Sequence, residues 1–258
     1  MRADAAQGLT PFCVVGHGGT TNTGAVDDLS QLADLAARHG AWFHVDAAYG
    51  GFFAMTERGR AALRGIERAD SVALDPHKSL FLPYGTGALV VRCRSALRRA
   101  HAMHASYMPP MQDEEDLVDF CDLGPELSRE ARGLRVWLPL KMHGAQVFRE
   151  ALDEKIDLAR AAADGLRTLG DVEIVAEPEL SLFAFRLRPS HVAPGAPLDA
   201  LNRRFLAAIN QRNRVLLTGA VVAVGFVLRI CVLSFRTHAD RIAMCLEDAA
   251  AARDEVMG

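Results

Sequence analysis

Short apolar runs alternate with polar or amphipathic stretches along the first ninety residues. Residues 12–16 (FCVVG) predict a strand, and the turn-rich HGGTTNTG follows it. Leu29, Leu32 and Leu35 then recur on one side of LSQLADLAARHG, which predicts a helix capped by Asp27 or Asp28 and stopped by Gly40. Residues 41–45 predict a second strand leading into Asp46. A polar helix is expected over 56–69, a third strand over 71–74 ending in DPHK, and a fourth over 87–91. Strand, turn, helix and strand in this order predict an open α/β sheet with its site at the carboxyl ends of the strands. Asp46 and Lys78 both fall just past such ends.

The pattern changes over residues 93–128, where two adjacent prolines, an acidic run and little periodicity predict a long loop of the kind that forms lids. A helical pattern resumes from Arg129 through RGLRVWLPLKMHGAQVF and is expected to bend or break at Pro139. The remainder predicts an α+β unit: a helix over 148–169, strands over 172–175 and 182–187, a helix over 198–211, and a last helix over 239–256. Between the last two lies VLLTGAVVAVGFVLRICVL, residues 215–233, long and apolar enough to be tested as a membrane span. Arg229 would cost about 2.5–3.5 kcal/mol near a bilayer centre. The valine content and the breaks at Gly219 and Gly225 favour two buried strands joined by a turn. Trp42 and Trp137 are expected in the core.

Composition narrows the function classes. Half of the 258 residues are hydrophobic, enough for a substantial core in one or two domains. A net charge of −3 without any Lys/Arg block leaves no footprint for nucleic acid, so a small-molecule ligand is expected. Cys13, Cys93, Cys121, Cys231 and Cys245 are odd in number, and none sits at CxxC spacing. They predict reduced thiols in a cytoplasmic protein rather than a disulfide framework or a zinc site. His101 and His104 stand three apart without a regularly spaced third ligand, so surface histidines are expected and no metal is. His44 is expected to be satisfied within its strand, while His17 and His143 carry no assignment.

Asp46 closes an apolar strand, and a buried carboxylate there would need a cationic partner. Lys78 ends the next strand, 32 residues later, with one strand–helix–strand unit between them, which puts both side chains on one edge of the sheet. Spacing alone leaves a plainer reading open, in which Asp46 caps a helix and Lys78 is a solvated loop lysine.

HVDAAYGG, DPHKSLFLPYGTG and GGTTNTGAVDDL together resemble the group II pyridoxal-phosphate decarboxylases, the family of aromatic-amino-acid, histidine and glutamate decarboxylases. The similarity continues through SREARGLRVWLPLKMHG to the last residue and is greatest toward bacterial members of the aromatic-amino-acid branch. The resemblance implies the PLP-dependent transferase fold type I. Residues 1–105 would be part of the large α/β domain, 106–135 a catalytic loop and the start of a connecting helix, and 136–258 a small carboxyl-terminal α+β domain.

The resemblance also implies pyridoxal 5'-phosphate as cofactor. Lys78 would be the Schiff-base lysine, with His77 and Asp75 near the phosphate. Asp46 would pair with the pyridinium nitrogen, Ala48 would pack on the ring, and Thr21 would lie beside the cofactor. Tyr107 would return a proton to the substrate carbon. Arg129 matches an arginine near the active site, for which a structural salt bridge is the equal alternative. The implied activity is that of a carboxy-lyase releasing an amine and carbon dioxide from an amino acid, in a homodimer when full length. Alternatives are an aldehyde synthase or lyase of the same fold, or an inert truncated homologue; Tyr107 favours decarboxylation. The resemblance further implies an amino-terminal arm and a first half of the cofactor domain ahead of GLTPF. An amino-terminally truncated member that binds cofactor weakly by itself is therefore expected. The HGGTT lead-in and AVVAVGF also depart from the usual family pattern.

Overall fold

The computed structural model describes residues 1–102 and 119–258. A short helix α1 (Arg2–Ala6) precedes β1 (Cys13–His17), and α2 (Leu29–His39) connects β1 to β2 (Trp42–Asp46). The ends of α2 follow from its sequence. The Asp28 carboxylate accepts the Gln31 N–H at 3.0 Å, and Gly40 closes the helix at a φ of 60°. Its buried stripe is Leu29, Ala33 and Ala36.

Between β2 and β3 (Ser71–Leu74) the chain does not form the single polar helix expected over 56–69. It makes a 3-10 turn (Gly51–Met55), the short α3 (Glu57–Ala62) capped by Thr56, and a second 3-10 turn (Ile66–Arg68). Gly65 sits between the last two at a φ of 102°, a conformation that no helix can pass through. β3 leads into the one-turn α4 (Pro76–Ser79) and then β4 (Ala88–Val91). The sheet order is β1-β2-β3-β4, with the first three strands parallel and β4 antiparallel to β3.

Part of the stretch expected as loop is helical. α5 (Arg94–His101) is held by a Ser95–Arg99 hydrogen bond of 3.1 Å and an ion pair of 3.4 Å from Arg98 to Asp122, which lies in a 3-10 turn (Phe120–Leu123). α6 (Leu134–Arg167) runs unbroken through Pro139 and is interrupted instead at Gly144, where φ is 75° and ψ 159°. Pro139 forfeits one hydrogen bond close to the helix start. Gly144 can adopt a backbone geometry that no longer propagates the ladder.

The second sheet comprises β5 (Val172–Ala176), β6 (Leu182–Leu187), β7 (Thr218–Val222) and β8 (Gly225–Cys231), antiparallel throughout in the order β5-β6-β8-β7. α7 (Ala196–Gln211) lies between β6 and β7, and α8 (Ala239–Met257) closes the chain. The apolar run over 215–233 is a hairpin as expected, closed by the Val222–Gly225 pair, with β8 in the core and β7 half-exposed at the edge. No helix among the described residues is long and apolar enough to cross a membrane.

Strict alternation along β6 joins the two halves. Phe183, Phe185 and Leu187 enter the core shared with α7 and α8, while Leu182 enters the core of the first sheet with Leu152 and Ile156 of α6. Tyr49 seals the junction: its buried hydroxyl accepts the Ser181 N–H at 2.8 Å and lies 2.9 Å from the Ser181 Oγ. Neither tryptophan is a core residue. Trp42 is 36% exposed and Trp137 58% exposed. Trp42 alternates with the inward-facing Phe43, and Trp137 projects off the α6 stripe of Val136 and Leu140, which pack on Leu80 and Leu82.

Candidate active site at the carboxyl edge of the first sheet

Asp46 is the last residue of β2 and stands opposite Ala73 of β3. The ladder continues past the strand end: Ala47 N–H donates to Ala73 O at 3.1 Å and Asp75 N–H to Ala48 O at 3.2 Å. Ala48 thereby stitches the Asp46 turn to the Asp75 turn. Asp75, Pro76, His77 and Lys78 form the start of α4, with Asp75 at its amino-terminal cap position and proline at the first helical position. The two parallel strands thus deliver Asp46 and Lys78 to one edge of the sheet, where open α/β sheets bind ligands.

The Lys78 amine lies 2.8 Å from Asp75 Oδ2 and its side chain is 41% exposed. His77 Nδ1 is 2.7 Å from the Thr86 carbonyl, and its Nε2 is 3.9 Å from the same Asp75 oxygen. A carbonyl only accepts, so Nδ1 carries the proton. The next residue, Ser79, is fully buried with its hydroxyl unpartnered among the described residues, and Phe81 adopts a φ of 59°, unusual for a bulky side chain. An unsatisfied buried hydroxyl and a strained backbone beside one accessible amine are features that gather at functional sites.

Asp46 differs from expectation. Its carboxylate is exposed and accepts the Ala48 N–H at 3.1 Å, with no cationic partner among the described residues. Phe43 and Val45 take the core side of β2, so Trp42, His44 and Asp46 project from the opposite, open face. An acid facing solvent needs no ion pair, and the lysine pairs with Asp75 instead. His44 is satisfied as expected, its Nδ1 lying 2.8 Å from Ser71 Oγ.

The GGTT turn adjoins the same edge, since Gly18 N–H donates to Asp46 O at 2.8 Å. It interlocks with the turn that follows β2 so closely that a Cβ on Gly50 would come within 2.0 Å of Gly18 O. Thr21 is exposed within this turn. Among the described residues no hydrogen bond or ion pair draws Arg129 into the edge; its guanidinium lies over the Phe120 ring at 5.4 Å. Tyr107 and His104 fall outside the described residues.

Three nearby residues carry no site role in the sequence. His17 stands directly opposite Asp46 in the β1–β2 register. Cys231, at the end of β8, borders the edge from the second sheet. Although the residue is exposed, desolvation by the surrounding protein pushes its thiol up to about 11, against the pull of the Arg229 and Lys78 cations. Arg229 shares that face of β8. Its Nη1 donates to Thr218 Oγ1 at 3.2 Å, and its buried Nε has no partner among the described residues. In the sequence Arg229 signals only a charge within an apolar run, and strand pairing alone discloses its position.

An accessible lysine and two carboxylates gather at the carboxyl edge of three parallel strands, a donor set chemically suited to a small carbonyl-bearing ligand. The chain matches the pyridoxal-dependent decarboxylase conserved domain over residues 1–188, and it belongs to that family. It is 35% identical over 257 residues to the aromatic-L-amino-acid decarboxylase of Bacillus atrophaeus, covering 99% of this chain and 54% of that protein. It is 38% identical over 186 residues to the cysteine sulfinic acid decarboxylase of Mus musculus, covering 71% of this chain and 38% of the relative. The crystal structure of Oryza sativa TDC with PLP and tryptamine superposes with a TM-score of 0.90 at 29% identity, over 100% of this chain and 54% of that one. The fold is accordingly that of the PLP-dependent transferases of fold type I. The chain spans about half the length of these relatives.

Proposed function

We propose that this chain carries the lysine-bearing half of an amino-acid carboxy-lyase, with pyridoxal 5'-phosphate held at Lys78. The observation that carries the reading is the delivery of Asp46 and Lys78 to one sheet edge by neighbouring parallel strands. The donor set fits the cofactor: one accessible amine for its aldehyde, an unpaired carboxylate for its ring nitrogen, and an imidazole and an unused buried hydroxyl alongside. When bound, pyridoxal phosphate supplies an electron sink for the pair left behind as the Cα–carboxylate bond breaks.

Each residue then has a physical task. Asp46 would hold a proton on the ring nitrogen by offering it a carboxylate that has no cationic partner among the described residues. Asp75 neutralises and aims the Lys78 ammonium, and His77, locked through Nδ1 to the Thr86 carbonyl, presents Nε2 toward the same carboxylate. Ala48 fixes the spacing of the two turns, and Thr21 belongs to the turn that begins at the Asp46 carbonyl. Arg229 offers unspent donors to a substrate carboxylate. Tyr107 is proposed to return the proton to the substrate carbon, and Arg129 to approach the substrate.

The division into 1–105, 106–135 and 136–258 belongs to the same proposal. So do the homodimeric full-length form, which the family resemblance supports, and a cytoplasmic setting, which the unpaired cysteines support. With Asp46 on an uncovered face, the chain alone is expected to hold the cofactor weakly and to turn over little substrate.

The test is reduction with borohydride at saturating pyridoxal phosphate, followed by peptide mapping. The sequence has only three lysines, Lys78, Lys141 and Lys155. Lys155 is fully buried against Glu154 and the Thr237 carbonyl. Label is expected on Lys78 and should fall to background in Lys78→Arg. Labelling centred on Lys141, or persisting in the variant, would sink the proposal.

A further inference from the structure

We propose that His17, oriented by Asp27, is a ring-contacting residue of the cofactor site. The inference rests on the function proposed above and gives a role to a residue that reading does not use.

β1 and β2 pair in parallel with His17 opposite Asp46. Residues opposite each other in such a pair project to the same face of strands roughly 4.8 Å apart. Val14 and Gly16 turn into the core, so His17 emerges on the open face with Asp46. Its side chain is 46% exposed.

The imidazole is fixed in place. Its Nδ1 lies 3.0 Å from Asp27 Oδ2, and the same oxygen accepts the His17 backbone N–H at 2.8 Å. The Asp27 N–H returns a bond to the His17 carbonyl at 3.0 Å. A carboxylate only accepts, so Nδ1 bears the proton and a neutral ring keeps its lone pair on Nε2. Among the described residues Nε2 has no hydrogen-bond partner. A carboxylate that fixes the tautomer and orientation of an imidazole, leaving the far nitrogen free for a reactant, is a recurring catalytic device. Here that nitrogen stands beside the acid assigned to the pyridine nitrogen, and the polar group a pyridoxal ring offers it is its hydroxyl. His17 would accept a hydrogen bond from that hydroxyl, adding an anchor to the ring besides Asp46 and Lys78.

A histidine that merely ties the GGTT turn to Asp27 would affect folding alone. The discriminating readouts are therefore the dissociation constant for pyridoxal phosphate, followed by quenching of tryptophan fluorescence, and the absorption spectrum of the bound cofactor, which reports the protonation of the ring hydroxyl. In His17→Ala the dissociation constant should rise roughly three- to tenfold, the scale of one hydrogen bond. The ratio of the cofactor's absorption bands should change as well. His17→Gln should recover part of both effects, and Asp27→Asn should shift both in the same direction as His17→Ala.

A folded His17→Ala protein with unchanged affinity and spectrum overturns the inference. If His17→Ala does not fold, the wild-type chain decides: the His17 ring resonance of histidine-labelled protein must move when pyridoxal phosphate is added, and a stationary resonance overturns the inference too. Borohydride labelling in the same samples separates the two readings. Label at Lys78 with no His17 effect sinks this inference alone; no label at Lys78 in the wild type sinks the proposed function and this inference with it.

Discussion

Strand β6 of the second sheet is buried along its whole length, whereas the strands of the first sheet are covered on one face. Every residue of β6 is buried: Phe183, Phe185 and Leu187 lie against α7 and α8, and Leu182 lies in the core of the first sheet. On the first sheet, Val14, Phe43 and Val45 are buried beneath α2, but Val15 and Trp42 stay exposed on the opposite face. Leu89 and Val90, on opposite faces of the edge strand β4, are both exposed. The first limb of α6 likewise packs Val136 and Leu140 inward while Leu134, Trp137, Leu138 and Met142 remain exposed. Parallel strands ordinarily carry helices on both faces. The difference separates stability from chemistry: the sheet built around β6 holds the larger buried core, and the half-covered sheet carries Asp46, His17 and Lys78 at its edge.

The largest effect should come from the core beside β6. Phe205 is fully buried and meets Phe185 edge-on, with ring centroids 6.4 Å apart. Phe205→Ala should lower the unfolding free energy by about 3–5 kcal/mol in urea denaturation. Val15→Ala, on the bare face, should stay within about 0.5 kcal/mol. Equal costs at the two positions would break the comparison.

Intermediate in size is the seam. Tyr49→Phe strands the buried Ser181 N–H and should cost about 1–3 kcal/mol. Ser181→Ala should then cost much less in the Tyr49→Phe background than in the wild type, because the two share one network. Additive losses in the double-mutant cycle would mean that the hydroxyl does not couple the halves.

The smallest effect is electrostatic and sharpens the picture of the second sheet. Burial opposes ionisation of Glu173, but hydrogen bonds from Arg186 and Arg188 outweigh it and hold the carboxyl below its ordinary 4.5. A depressed carboxylate contributes stability that is present above its unfolded value and is lost as pH falls through its folded one. The urea midpoint should therefore decline as pH drops below about 4.5. Glu173→Gln should flatten part of that decline, and an identical pH profile in the variant would remove Glu173 from the account.

Much of the site was legible in the chain itself. Short apolar runs ending in Asp46 and DPHK predict the strand ends correctly, because period and length distinguish strands from the helix between them. Three misreadings have one cause. Asp46, Trp42 and Trp137 are expected inside, yet they are exposed, because an apolar neighbourhood in sequence does not say which side of an element will be covered. Pro139 is a visible helix breaker, but Gly144 breaks α6, because a proline near a helix start costs one bond while a glycine can leave the helical region altogether. The positions of His17 and Arg229 beside the site had no local signal, since strand register is a relation between segments distant in sequence.

The sequence by itself determined the alternation of strands and helices, the caps Asp28 and Gly40, and the placement of one acid and one lysine at successive strand ends. Periodicity and capping are local properties, so they survive without coordinates. Tertiary structure alone decided which face stays open, that Lys78 pairs with Asp75, and that His17 lies next to Asp46. Those facts depend on parallel pairing and on the packing of remote segments, where energies come from contacts that no local pattern contains.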